Sequence, residues 1–79
     1  MTKVKQQAEN DIHTIEQCFF EYLTGKHDEN WAIAYIADAK IRGQKLRSIF
    51  NKVYDGIQRT DQREERARGI RQRLDQNGF

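Results

Sequence analysis

Three observations predict an all-α fold. Proline is absent, the helix-favouring residues Gln, Arg, Glu, Lys, Ala and Ile dominate, and apolar residues recur at helical spacing rather than in alternation. The hairpin dipeptide Asn-Gly occurs only at Asn77 and Gly78, and no run alternates long enough to make a strand. The expected architecture over residues 1–79 is a single helical domain, a small bundle of three or four helices. A helical hairpin with one long C-terminal helix is the alternative.

The first helix is expected from about Lys5 to Thr24, on the stripe Val4, Ala8, Ile12, Ile15, Phe19, Tyr22 and Leu23. Gly25 supplies a left-handed stop, and Asp28 or Asn30 offers a side-chain acceptor to the free amides of the next helix. From Trp31 onward the pattern is two-faced. Ile33, Ile36, Ala37 and Ile41 lie on one side, with Trp31, Tyr35 and Ala39 on another, which predicts burial on both.

Leu46, Ile49, Phe50, Val53 and Ile57 form the next stripe. Gly43, at the handover, is either a break or a small residue within one long helix. Beyond Ile57 the apolar positions thin to Ala67, Ile70 and Leu74, which predicts weaker packing. Thr60 or Asp61 is placed to cap a separate last helix, with Glu64 and Glu65 in its first turn; the same residues fit a continuous helix equally well.

The charge is divided. Residues 1–39 carry three Lys against seven acids, a net of −4, whereas residues 40–79 carry eleven Lys or Arg against five acids, a net of +6. Such a division suits either an acidic helix packed on a basic one or a basic half turned to an anionic partner. Lys45, Lys52, Arg59, Arg66 and Arg73 are spaced seven apart, beside the register of Leu46, Ile49, Val53, Ala67, Ile70 and Leu74. On a continuous helix this is a basic ridge along an apolar seam, the pattern of a coiled coil. A seam too long for the first helix to cover predicts a homodimer.

Arg59, Arg63, Arg66, Arg68, Arg71 and Arg73 fall within a stretch that contains no lysine. The planar guanidinium binds phosphate or carboxylate through two hydrogen bonds, so the stretch suits recognition of RNA or DNA backbone. Asp61, Glu64 and Glu65 are the counterweight, since they pair with neighbouring arginines and repel phosphate. The named nucleic-acid-binding signatures are not met: the region around Gly25 is acidic, and the basic stretch follows the seam instead of preceding a zipper. On this reading the binding residues are Lys45, Lys52, Arg59, Arg63, Arg66, Arg68, Arg71 and Arg73, and replacing Arg63, Arg66 and Arg73 by Gln is expected to spare the fold.

A second reading makes the chain a protein-binding adaptor or inhibitor, antitoxin-like or directed at a larger protein, with Phe20, Trp31 and Tyr35 as its patch and the basic helix matched to an acidic surface. Phe20 points away from the first stripe, which leaves it either exposed for a partner or covered by another helix. Trp31 and Tyr35 read first as core anchors and second as a recognition patch.

Enzymatic activity has little support. His13 and Cys18 are too far apart around the first helix to share a ligand, and no nucleophile, zinc or phosphate-loop motif occurs. No catalytic residue, metal or cofactor is expected. A single cysteine, no signal-peptide pattern and no apolar stretch near the roughly 20 residues of a bilayer span predict a cytoplasmic protein without a membrane segment.

Overall fold

Two glycines at positive φ separate the first three helices: Gly25, at 90°, and Gly43, at 63°. The computed structural model describes the backbone from Thr2 to Phe79 and side chains from Ile12 onward, so the expected stripe positions Val4 and Ala8 lie outside the described side chains. The helices are α1 (Thr2–Leu23), α2 (Glu29–Asp38), α3 (Gly43–Gly56) and α4 (Asp61–Gln76), with no strand among the described residues.

Each break has a local cause. At the end of α1 the Gly25 amide donates to the Tyr22 carbonyl and the Lys26 amide to that of Glu21, the paired bonds of a Schellman stop. Asp28 then accepts from the Trp31 amide at 2.8 Å and opens α2. At the other end of α2, the Arg42 guanidinium gathers the carbonyls of Ile36, Ala37, Ala39 and Ile41. Gly43 is therefore a break, and α3 starts there. Ile57 leaves the helix in extended backbone, and Thr60 caps α4 by accepting from the Arg63 amide at 3.1 Å.

One core draws on all four helices: Ile15, Phe19 and Leu23 of α1, Ala32 and Ile36 of α2, Leu46 and Phe50 of α3, and Ala67, Ile70 and Leu74 of α4. Phe19 meets Phe50 edge to face at 5.1 Å between ring centroids, the favoured geometry for an aromatic pair. α1 packs against each of the other three helices. No helix among the described residues is long and apolar enough to cross a membrane.

Three expectations are corrected by this packing, and a fourth loses its ground. The four residues between α3 and α4 interrupt the heptad, so Lys45, Lys52, Arg59, Arg66 and Arg73 do not form one ridge. Packing after Ile57 is not weaker, because Ala67, Ile70 and Leu74 are fully buried. Burial on both sides of α2 also fails at Ala37 and Tyr35, which are exposed. The seam residues Leu46, Ile49, Ala67, Ile70 and Leu74 are covered within one chain, which removes the ground on which a coiled-coil dimer was expected.

Candidate protein-binding surface

Helix α4 turns three of its five arginines inward. Arg63 is 4% exposed; its guanidinium donates to the carbonyls of Tyr54 and Ile57 at the frayed end of α3, pairs with Glu64, and lies 4.0 Å over the Tyr54 ring. Arg66 donates to the carbonyls of Tyr22 and His27 at 3.0 and 2.9 Å, while the Tyr22 hydroxyl returns a bond to the Arg66 carbonyl at 2.8 Å. Arg73 reaches Glu29 at 2.9 Å and Asn30 at 3.1 Å. These three side chains fasten α4 to α3, to the α1–α2 turn and to the start of α2, joining the basic half of the chain to the acidic half.

What remains outside is not a basic face. Arg68 and Arg71 share the exposed side of α4 with Asp61, Glu65 and Asp75. Arg71 lies 5.0 and 5.2 Å from the Phe50 and Tyr54 rings, and Asp75 holds Arg47 of α3. Lys45 is exposed in the first turn of α3 and Arg59 beyond its other end, and Lys52 bridges to Glu16 at 3.0 Å. The eight basic residues singled out from the sequence are thus not assembled into one patch.

The aromatic residues are arranged differently. Phe20 is 41% and Tyr35 44% exposed, and these are the large apolar side chains left most open to solvent. Trp31, half-buried, stands between His27, stacked on it at 3.8 Å, and Tyr35 at 4.7 Å, which makes a ladder along one side of α2. His27 Nε2 lies 3.2 Å from a Glu21 carboxylate oxygen.

Two shallow grooves flank the outward stripe of α1. One, of about 380 Å³, separates α1 from the aromatic ladder and is lined by Gln17, Cys18, Glu21, Trp31 and Tyr35. The other, of about 300 Å³, lies between α1 and α3 and is lined by Phe20, Val53, Gly56 and Ile57, with Lys52 and Glu16 at its edge. His13 and Gln17 border both grooves. Sequence reasoning found Phe20, Trp31 and Tyr35 but missed His27 and the α3 wall. His27 was detectable, since it continues the four-residue spacing of Trp31 and Tyr35 backward by one step.

Electrostatics explain which groups are inert. Burial, reinforced by Glu21, pushes the Cys18 thiol up to about 12, so it stays protonated at neutral pH and is a poor nucleophile. Burial, with Glu29, also pushes the Tyr22 hydroxyl up to about 12 against the opposing pull of Arg66 and Arg73. The Tyr54 hydroxyl donates to Glu64 at 2.6 Å, which holds the Glu64 carboxyl below its ordinary value and raises that of Tyr54. A groove of about 560 Å³ between the α1–α2 turn and α4 is lined by Asp28, Glu29, Gln62, Glu65 and Gly69, and Tyr22 and Arg66 within it are already bonded to each other's backbone. Among the described residues no group of three or more His, Cys, Asp or Glu is placed to hold a metal ion. No protein-family model, curated protein or solved structure matches the chain.

Proposed function

We propose that this is a non-enzymatic adaptor or inhibitor that docks onto another protein through the surface around Phe20, Trp31 and Tyr35. One contrast carries the reading: large aromatic side chains stand in solvent beside two grooves, while Arg63, Arg66 and Arg73 are turned into the fold. Aromatic residues are enriched among those that dominate binding energy at protein interfaces, and a partly exposed Trp between two rings is a rigid anchor that loses little entropy on docking. A nucleic-acid interface needs cations free to neutralise phosphates, and the exposed side of α4 carries two arginines against three acids.

The test is a comparison of tagged full-length variants expressed in the cells of origin, with captured proteins quantified before and after nuclease treatment. Phe20→Ser with Tyr35→Ser is expected to abolish capture of the main partner, and Arg59→Gln with Arg68→Gln and Arg71→Gln to leave it intact. Capture that nuclease removes and the arginine set abolishes returns the function to RNA or DNA binding.

A further inference from the structure

We infer that the groove between α1 and α3 seats an apolar side chain from an acidic segment of a partner protein, laid over Gly56 and held at the rim by Lys26 and Lys52. The inference rests on the protein-binding reading above, and it fixes where the partner sits and what its chemistry is.

Gly56 is the first reason. It is the last helical residue of α3, it is not among the glycines at positive φ, and a Cβ built on it meets nothing within 4 Å. The fold thus uses neither the conformational freedom nor the small size of glycine at this position. The bare backbone does have one consequence, because it leaves the groove open between Phe20 on one wall and Val53 and Ile57 on the other. Glycine is the residue that lets another chain's backbone or side chain approach this closely.

Charge sets the occupant. The Lys26 ammonium stands 5.9 Å from the Phe20 ring centroid and forms no salt bridge among the described residues. Lys52 is largely exposed and shares its one carboxylate, Glu16, with His13. Among the described residues, the groove edge and its Phe20 wall carry the Lys52 and Lys26 ammonium groups against the Glu16 carboxylate. An apolar floor with a positive rim is complementary to a segment in which Asp or Glu brackets a large apolar residue. Phosphate backbone has no apolar group to offer Phe20, Val53 and Ile57.

The experiment selects peptides from a displayed library of random linear sequences against the full-length protein, then measures their affinity by fluorescence anisotropy with thermal melts on every variant. Selected peptides are expected to carry an apolar residue bracketed by acids. Gly56→Leu should fill the groove and weaken binding at least about tenfold, or ~1.4 kcal/mol, with an equal or higher melting temperature. Gly56→Ala serves as the milder variant with the same direction of effect. Lys26→Glu should slow association and flatten its salt dependence. Trp31→Ala with Tyr35→Ala, on the neighbouring groove, should weaken peptide binding less than Gly56→Leu does, and Arg68→Ala, away from both grooves, should leave it unchanged. Binding that survives Gly56→Leu but is lost with the Trp31 and Tyr35 pair overturns the groove and leaves the protein-binding reading standing. Selection of basic peptides, or of none, also overturns the groove, and displacement of peptides by generic RNA overturns both.

Discussion

Arg63→Ala removes a guanidinium that bonds the Tyr54 and Ile57 carbonyls, each at 3.0 Å, holds Glu64 and covers the Tyr54 ring. The Tyr54 carbonyl keeps the Ile57 amide at 3.3 Å as a second donor, whereas the Ile57 carbonyl loses its guanidinium. Leaving one part-buried acceptor unsatisfied costs about 1–3 kcal/mol, and losing the contact of cation and ring adds about 1 kcal/mol. The sum is about 3 kcal/mol. A chain of this length is stable by roughly 4–12 kcal/mol, so that loss is a large fraction of the whole. In urea, with a slope of about 1–1.5 kcal/mol per molar, the midpoint followed by circular dichroism should fall by about 2–3 M. Arg68→Ala, at an exposed position, should stay within about 0.5 kcal/mol of the parent. Arg63→Met is informative as well. It keeps the buried stem and removes Nε, a buried donor without a partner, so its loss should be smaller than that of Arg63→Ala. Equal midpoints for Arg63→Ala and Arg68→Ala would refute the assignment of Arg63 to the fold.

Three further outcomes follow from the same contacts. Arg66→Gln with Arg73→Gln unfastens α4 from the α1–α2 turn, and calorimetry should show a drop of roughly 2–4 kcal/mol, with Arg59→Gln and Arg68→Gln near the parent. Tyr22 and Cys18 both have folded values raised to about 12, so their contribution is complete below their ordinary values of 10.0 and 9.0 and is lost as pH rises from there toward about 12. Urea midpoints should fall across that window, and Tyr22→Phe should flatten the decline. Glu64 has the opposite sign: its folded value is lowered by the bonds from Tyr54 and Arg63, so its contribution is present above the ordinary carboxylate value and lost as pH falls. Glu64→Gln should make the acid limb of a pH-stability profile shallower.

Helix content and the Gly25 stop were legible in the sequence, and the Asp28 and Thr60 caps were each one of the alternatives it offered, because these depend on a few adjacent residues and on backbone rules that operate locally. The direction of the arginines was not legible. Arg66 finds its acceptors at Tyr22 and His27, and Arg73 finds Glu29, partners about forty positions away that only the closed bundle brings near. Heptad spacing also assumed one helix across Ile57–Thr60, where Thr60 instead starts a new one and rotates the register of Arg59, Arg66 and Arg73 relative to Lys45 and Lys52. Of the candidate site, Phe20 was identifiable from its position off the apolar stripe, whereas Tyr35 was expected on a buried face and stands exposed. The α3 wall was not, because Val53 and Ile57 look like ordinary core positions until α1 is seen to leave them half covered.

The most direct measurement is the arginine side-chain amide spectrum of the full chain by nuclear magnetic resonance, recorded at low salt and then titrated with generic RNA. Arg63, Arg66 and Arg73 should give dispersed, slowly exchanging Nε signals that the RNA does not move, while Arg59, Arg68 and Arg71 crowd at the solvent-averaged position. Six overlapping, fast-exchanging signals, or shifts of Arg63, Arg66 and Arg73 on adding RNA, would contradict an inward role for these arginines and restore the basic helix as the binding surface.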